Sequence, residues 1–155
     1  MKRDYPDRPI VGAGAVIVEN GQALLVRRGK PPLEGEWSIP GGVVELGETL
    51  REAAAREARE ETGLEVEAGE VLEVVDRIMH DPERKVQYHY VLVDFLCRRI
   101  SGKAKAGADA SELRWITLEE LNAFRISDSA AAVLRKGFGA QNEMARRSSK
   151  HAGRR

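Results

Sequence analysis

The stretch GGVVELGETLREAAAREAREETGLEV, from Gly41 to Val66, joins a glycine-rich loop to the most clearly marked helix of the chain. Thr49 and Glu52 form the T-x-x-E pattern of a capping box, which is typical of a helix start. A glycine such as Gly63 readily adopts the left-handed conformation that ends a helix. The pattern therefore predicts a helix over Thr49–Thr62.

Three carboxylates crowd one face of this predicted helix. Glu57, Glu60 and Glu61 are three and four residues apart, so they are neighbours on a helical surface. On a helical wheel they share an inward arc with Leu50, Ala53 and Ala54. The opposite, solvent arc holds Arg51, Glu52, Ala55, Arg56 and Arg59, with Glu52 and Arg56 spaced to form an ion pair. Each like-charge pair costs a few tenths of a kcal/mol even when exposed, so helix stability alone does not explain the cluster.

The acidic cluster has two interpretations. In the first, Arg56 and Arg59 neutralise the carboxylates and the helix is an ordinary charged surface. In the second, the carboxylates bind a metal, because clustered oxygen ligands suit a hard divalent cation such as Mg²⁺ or Mn²⁺. The glycines of the preceding loop permit close backbone approach, and the helix N-terminus favours an anionic phosphate. We favour the metal site because the acids lie on the inward arc beside small alanines.

The same stretch resembles the Nudix box, G-x5-E-x7-R-E-U-x-E-E-x-G-U, in which U is a bulky aliphatic residue. The residues that match at the required spacing are Gly42, Glu48, Arg56, Glu57, Glu60, Glu61, Gly63 and Leu64. Ala58 is the one departure, since a smaller residue stands at the first U position. The resemblance covers roughly residues 9–134. It implies an α/β fold, with a single-domain α/β/α sandwich around a mixed β-sheet.

The resemblance also implies roles for the residues of the cluster. Glu57, Glu60 and Glu61 would bind Mg²⁺ or Mn²⁺, and a backbone carbonyl at Gly41 would complete the metal site. Arg56 would hold the glutamates in place by ion pairing. Most Nudix enzymes hydrolyse a nucleoside diphosphate linked to a group X, so the expected activity is that of a Nudix pyrophosphohydrolase.

The base that activates water for this reaction has two kinds of candidate. Glu57 or Glu60 of the predicted helix could accept the proton. Some Nudix enzymes instead use an acid from a later loop, for which Asp109 and Glu112 are the candidates. The alternative for both loop acids is an ordinary solvated position.

A small-molecule nucleotide is the substrate that the resemblance implies. The chain looks most like the compact ADP-ribose pyrophosphatases, which convert ADP-ribose to AMP and ribose 5-phosphate. The alternatives are an 8-oxo-dGTP pyrophosphohydrolase that sanitises the nucleotide pool and a Nudix module that binds nucleotides without turnover. The candidate substrate contacts are Arg27, Arg28, Trp37 and Tyr88, although Trp37 also suits structural packing.

Strand and turn patterns flank the helix on both sides. The dipeptide Asn20–Gly21 between two β-branched runs predicts a hairpin, and the loop GKPPLEGEWSIPGG separates it from the helix. Further strands are predicted over Glu65–Met79 and Val86–Arg98, and a short one at LRWI. Thr117 and Glu120 form a second capping-box pattern, and SDSAAAVLRKGF predicts the last helix.

The strand VQYHYVLVDF has two different faces, because side chains alternate along a strand. Tyr88, Tyr90, Leu92 and Asp94 are expected on one face. The opposite face is expected to hold His89, Val91, Val93 and Phe95. Either face suits the core, so contact between Tyr88 and a ligand stays open at this stage.

Composition and charge restrict the partners of the chain. Its 155 residues include 25 Lys and Arg and 25 Asp and Glu, so a formal net charge of zero gives no support to nucleic acid or a membrane surface as a partner. There is no membrane-length apolar run and no signal-peptide core, and Cys97 is the single cysteine, which together predict a cytoplasmic protein. The Nudix domain is expected over residues 1–138, with a basic, flexible tail over 139–155. Dimers are frequent in the Nudix family, which leaves room for a homodimer.

Overall fold

The computed structural model describes residues 2–30 and 33–152. Pro31 and Pro32 of the predicted loop and the last three residues of the predicted tail lie outside the described residues. Seven strands in the described part form one mixed sheet, with a helix packed on each face. The elements are β1 Ile10–Glu19, β2 Gln22–Arg28, β3 Trp37–Ser38, β4 Gly41–Val43, α1 Leu50–Thr62, β5 Glu65–His80, β6 Val86–Ser101, β7 Ala110–Thr117 and α2 Asp128–Ala152, with a 3₁₀ helix at Glu119–Ala123.

β1 is the central strand of the sheet. One edge of β1 pairs in parallel with β6, and the other edge pairs antiparallel with β4 and then with β2. β2 continues the sheet to β3 and β7, while β5 pairs with β6 at the opposite edge. As a result, Gly14 of β1 lies between Gly41 of β4 and Asp94 of β6.

Alternating side chains of β1 enter two separate hydrophobic cores. Ala13, Ala15 and Ile17 face α1, whereas Val16 and Val18 face α2. The helices contribute Ala53, Ala54 and Ala58 on the first side, and Val133, Leu134 and Phe138 on the second. Small side chains on α1 allow the helix to lie close against the sheet. The two cores confirm the expected α/β/α sandwich.

The predicted first helix is confirmed at both ends. The Thr49 hydroxyl accepts a hydrogen bond from the Glu52 N–H at 3.1 Å, and the Glu52 carboxylate accepts one from the Thr49 N–H at 3.3 Å. Gly63 adopts a φ of 76° and ends the helix. The expected ion pair between Glu52 and Arg56 is wrong, because Glu52 serves the cap and Arg56 turns to other carboxylates.

The other strand and turn predictions are confirmed with two adjustments. Asn20 and Gly21 have φ values of 51° and 74°, as a type I′ hairpin turn requires. The strand predicted at LRWI is the second half of the longer β7. Thr117 and Glu120 do bond, since the Glu120 carboxylate accepts from the Thr117 N–H at 3.2 Å and from its hydroxyl at 2.9 Å, but the segment that follows is a 3₁₀ helix.

The C-terminal segment differs from the prediction. α2 does not end near Phe138 but continues as a helix through residues 139–152, where a basic, flexible tail is expected from the sequence. The reason is local, because this segment is rich in good helix formers and contains no proline. Its flexibility and the domain boundary at residue 138 stay predictions. Within the described part of the chain, no helix is both long enough and apolar enough to cross a membrane.

Candidate active site

Arg56 of α1 is the centre of the acidic cluster. Its side chain is 14% exposed, and its Nε and Nη2 donate hydrogen bonds to the Glu48 carboxylate at 2.7 and 3.0 Å. Its Nη1 donates to Glu57 Oε1 at 2.9 Å and to Glu60 Oε2 at 3.2 Å. Nη2 also donates to the Val43 carbonyl at 3.0 Å. One guanidinium therefore fixes three carboxylates and ties α1 to β4.

The ion pairs with Arg56 affect the pKa values of Glu48 and Glu57 differently. The Arg56 guanidinium lowers the pKa of Glu48, which bonds it through both carboxylate oxygens. For Glu57 the effect of burial is larger and raises the pKa, although Arg56 opposes the shift. Glu57 therefore keeps an electrostatic penalty that its arginine does not remove.

The Glu57 carboxylate occupies space that only a glycine leaves open. It lies against Gly42 of β4, where an added Cβ would stand 2.4 Å from Glu57 Oε1 and 2.5 Å from its Cδ. The Glu57 side chain is 15% exposed. Position 42 requires a glycine because the Glu57 carboxylate lies directly against the backbone there.

Glu61 is the second carboxylate of the cluster that is mostly withdrawn from solvent. It accepts a hydrogen bond from the Gly41 N–H at 3.2 Å, so the described contact of Gly41 with the cluster runs through its amide. Burial, followed by the negative charge of Glu57, raises the pKa of Glu61 to about 8. The positive charge of Arg28 opposes this shift in part. Glu57 and Glu61 form a pair of acids whose joint ionisation is disfavoured.

The carboxylates expected to bind the metal lie in one cluster, but they are not arranged as a complete set of metal ligands. Within residues 2–30 and 33–152, no three acidic, histidine or cysteine side chains are arranged as a group that could hold a metal. Glu60 is 56% exposed at the rim of the cluster and is bonded to Arg56. The chemistry of Glu57 and Glu61 nevertheless fits Mg²⁺ or Mn²⁺, because a hard cation between carboxylates removes both the repulsion and the cost of burial.

The acidic cluster opens into a cleft of about 720 Å³. Its floor includes Gly12 and Gly14 of β1 and the β6 residues Tyr88, Tyr90, Leu92 and Asp94. The rings of Tyr88 and Tyr90 are stacked with centroids 6.4 Å apart and planes 12° apart. Val93 and Phe95 lie on the opposite face, in the core beneath α1. The predicted alternation of β6 is therefore confirmed.

The predicted substrate contacts separate into two groups. Arg28 and Tyr88 line the cleft, whereas Arg27 and Trp37 lie outside its described lining. Trp37 packs edge-to-face on Phe124, with ring centroids 5.4 Å apart, which is the structural role considered as its alternative. Arg27 and Arg28 are adjacent on β2, so their side chains point to opposite faces, and the pairing with β7 shifts register between them.

Of the two predicted acids near β7, the structure brings only Asp109 to the described lining of the cleft. Glu112 lies on β7 and forms ion pairs with Arg114 at 3.3 Å and Arg27 at 3.8 Å, so its expected role as the base is not supported by its position. Asp109 pairs with Lys30 at 2.8 Å, and this contact lowers the pKa of Asp109.

The loop that carries Asp109 is held in place by backbone hydrogen bonds to the end of α1. The Lys105 N–H donates to the Thr62 carbonyl at 2.8 Å, and the Gly107 N–H donates to the Glu61 carbonyl at 3.0 Å. An added Cβ at Gly107 would lie 2.0 Å from the Glu60 carbonyl oxygen, so glycine is needed for this close contact. The loop and the acidic helix are thereby held together.

Several residues that line the cleft were not predicted as site residues. They are Arg3, Asp4, Lys30, Ser38, Ile39, Arg77, Met79, Asp94 and Ser127. Asp94 had a usable sequence signal, because it is a charged residue in an otherwise apolar strand segment and shares a face with two tyrosines. For the N-terminal and helix-start residues, no local pattern in the sequence indicates that they reach the cleft.

The fold and the cluster agree with the family to which the chain belongs, the NUDIX domain family, whose family model matches residues 8–137. Over 113 residues the chain is 36% identical to the ADP-ribose pyrophosphatase of Methanocaldococcus jannaschii, a match covering 73% of this chain and 64% of that protein. Over 114 residues it is 40% identical to the putative 8-oxo-dGTP diphosphatase 2 of Mycobacterium tuberculosis, covering 73% and 76% of the two chains. The match thus spans less than two thirds of the archaeal relative.

Solved structures agree with the same family. A MutT NUDIX hydrolase from Burkholderia pseudomallei superposes with a TM-score of 0.71 at 30% sequence identity, covering 84% of this chain and 98% of the other. A MutT protein from Methanosarcina mazei gives a TM-score of 0.71 at 25% identity, covering 88% and 98%. These similarities confirm the fold class over most of the described chain.

Replacing Gly42 by alanine should disable the cluster while preserving the fold. The three nearest atoms to the added Cβ all belong to the Glu57 side chain, which can move away without disturbing the core. We expect calorimetric titration to show Mn²⁺ affinity reduced about tenfold or more. Gly139→Ala is the matched control, since its Cβ meets nothing within 4 Å, and it should bind Mn²⁺ normally. Equal affinity in both variants would contradict the arrangement described for Glu57.

Glu61→Gln should stabilise the metal-free protein increasingly as pH rises. The pKa of Glu61 in the folded state is about 8, above its ordinary value of 4.5, so folding favours the protonated acid. This stability is present below pH 4.5 and is lost as pH rises through about 8. Glutamine mimics the protonated acid at every pH. In urea titrations with EDTA, the gain in free energy of unfolding should grow from near zero to a few kcal/mol. A gain that does not change with pH would exclude this origin.

Proposed function

We propose that the chain is a Mg²⁺- or Mn²⁺-dependent hydrolase that cleaves the diphosphate of a nucleoside diphosphate linked to a group X. The observation that carries the proposal is the cluster in which Arg56 holds Glu57 and Glu60 beside Glu61, all of them in the lining of one cleft. The cleft volume of about 720 Å³ lies in the usual range for small-molecule sites. Location in the cytoplasm and assembly as a homodimer stay predictions.

The charges of the cleft suit a diphosphate. A divalent cation bound by the glutamates would shield the phosphate charge and lower the pKa of a water molecule. The chain adds Arg28 and Lys30, two cationic residues that line the same cleft and can pair with phosphate oxygens. Their position beside the acidic cluster favours an anionic group between the two.

Glu57 is the acid that we propose as the general base, with Asp109 as the alternative. A general base works best when its pKa is close to the pH of the reaction. Burial raises the pKa of Glu57, whereas Lys30 lowers that of Asp109. Glu57 is therefore the better proton acceptor of the two, although both line the cleft.

We propose ADP-ribose as the substrate, with AMP and ribose 5-phosphate as products. Support comes from the 36% identity to the M. jannaschii protein named ADP-ribose pyrophosphatase. The second candidate is an 8-oxo-dGTP pyrophosphohydrolase, favoured by the 40% identity to the putative 8-oxo-dGTP diphosphatase 2 of M. tuberculosis. A module that binds without turnover is less well supported, because the acids and the arginine of the Nudix box are all retained.

The test is to incubate the protein with Mg²⁺ and a panel of nucleotides and to identify the products. The panel contains ADP-ribose, NADH, a dinucleoside polyphosphate, 8-oxo-dGTP and capped RNA. We expect the highest kcat/KM with ADP-ribose, with release of AMP and ribose 5-phosphate. A preference for 8-oxo-dGTP, with release of pyrophosphate, would replace the substrate assignment. Binding without turnover of any member would overturn the hydrolase itself.

Two glutamine variants show whether turnover comes from the cluster. Glu57→Gln should lower kcat by about 10²–10⁴-fold, because it removes both a cation donor and the proposed base. Glu112→Gln should retain activity, since Glu112 lies on β7 outside the described lining of the cleft. Loss of activity in the second variant alone would restore Glu112 as the base.

A further inference from the structure

Asp94 is a buried carboxylate on the floor of the cleft for which the described residues supply no hydrogen bond. It is 6% exposed, and its pKa is shifted by burial and by the charge of Glu73, without any hydrogen bond to the carboxylate. Among the described residues, no fully buried polar side-chain atom lacks a hydrogen bond. The unpartnered oxygens of Asp94 must therefore retain some contact with the cleft that the residue lines.

The glycine at position 14 leaves space over β1 that is filled by the Asp94 carboxylate together with the end of the Ile39 side chain. An added Cβ at Gly14, the β1 neighbour of Asp94, would lie 2.2 Å from Asp94 Oδ1. Glycine in the middle of a strand weakens the strand, so the space has an energetic cost. Close approach of a ligand or a side chain to the backbone is the usual reason for such a glycine.

The carboxylate is expensive to keep and receives no help from its neighbours. Burial, followed by the negative charge of Glu73 across the strand pair, raises the pKa of Asp94 to about 6. At neutral pH the carboxylate is thus mostly ionised, although a buried charge without a partner is strongly destabilising. Packing does not explain it, because asparagine or leucine would fill similar volume without a charge. A donor supplied by a ligand would offset this cost.

The position of Asp94 defines the kind of donor. Asp94 lies two strands from Gly41, about 10 Å across the sheet, and Gly41 bonds Glu61 of the acidic cluster. Its negative charge repels phosphate groups. The β6 residues next to it on the same face, Leu92 and Tyr90, are uncharged, and the nearest cation of the lining on β5 is Arg77, opposite Tyr90. The β6 surface beside Asp94 therefore suits a neutral, flat group that carries a hydrogen-bond donor.

We propose that Asp94 is a substrate-binding residue whose carboxylate accepts a hydrogen bond from an N–H or O–H group of the base or sugar of a nucleotide. The contact orients the nucleotide with its neutral part on the β6 floor and its diphosphate toward Glu57 and Glu61. The nature of the ligand rests on the proposed function. An amino group of the base and a sugar hydroxyl offer the same donor chemistry, and nucleotide analogues distinguish them.

Calorimetric binding of nucleoside monophosphates tests the contact without any turnover. AMP and GMP carry a base amino group that IMP lacks, and 2′-deoxy-AMP lacks a sugar hydroxyl. We expect the wild-type protein to bind AMP or GMP about tenfold or more tightly than the Asp94→Asn variant does, because the variant lacks the hydrogen bond to a charged carboxylate. If the donor is the amino group, preference over IMP should disappear in the variant. If the donor is the hydroxyl, preference over 2′-deoxy-AMP should disappear.

Control variants separate binding from folding. Asp76→Asn makes the same change of charge on the neighbouring strand β5, outside the described lining of the cleft, and should bind as wild type does. Asp94→Asn should unfold at the same or a higher temperature than wild type, because it removes an unpartnered buried charge. Asp94→Ala provides a second variant if Asp94→Asn fails to fold.

The outcomes distinguish this inference from the proposed function. Equal nucleotide affinities in wild type and the Asp94 variants would overturn the inference, as would wild-type binding of none of the four nucleotides. Hydrolysis with an unchanged KM in Asp94→Asn would overturn the inference alone. Asp94-dependent binding in a protein that hydrolyses nothing in the panel would support the inference and reject the hydrolase.

Discussion

The site depends above all on the ion pairs of the half-buried Arg56. One guanidinium bonds Glu48 before α1, Glu57 in the middle of α1 and Glu60 one turn later, and it also bonds β4. Arginine suits this position because it stays charged and presents a fixed fork of donors. On the cleft side, Glu57 and Glu61 remain acids whose ionisation is opposed by burial. The protein thus neutralises Glu48 on one side of the cluster and leaves on the other side two acids whose ionisation a bound cation would favour.

Two glycines on adjacent strands make room for two acids that line the cleft. Gly42 of β4 admits the Glu57 carboxylate, and Gly14 of β1 admits that of Asp94, each at a distance that no Cβ would allow. The first acid belongs to the cluster that suits a cation, and the second is the residue proposed to accept a hydrogen bond from the base or sugar of a nucleotide. On that proposal, the two acids orient a nucleotide with its diphosphate toward Glu57 and its uncharged part toward Asp94.

Features that depend on neighbouring residues could be predicted from the sequence. The cap at Thr49, the stop at Gly63 and the two faces of β6 each follow from a few adjacent residues, and the structure agrees with them. Features that depend on distant partners could not. The main partner of Arg56 is Glu48, eight residues earlier in a loop, instead of Glu52 on the same helix. Helical periodicity contains no information about such a loop.

The same limit explains the other errors at the site. Arg27 and Arg28 point to opposite faces of β2, because side chains alternate along a strand. Arg27 pairs with Glu112 and Arg28 lines the cleft, but which face of β2 borders the cleft depends on distant parts of the chain. Trp37 packs on Phe124, which lies far along the chain, and a local sequence pattern does not indicate such a distant partner. The continuation of α2 is the opposite case. The local helix propensity of residues 139–152 favours a helix, whereas their basic, polar composition favours a tail, and the structure follows the propensity.

The most direct test of the cation site is to count the protons released when the metal-free protein binds Mn²⁺. Calorimetric titrations at pH 7, in two buffers with different ionisation enthalpies, give this number. Because the pKa of Glu61 is about 8, we predict that binding releases about one proton and that this number declines toward none near about pH 9. Binding without proton release at pH 7, or no binding of Mn²⁺, would contradict a cation site built on these buried glutamates.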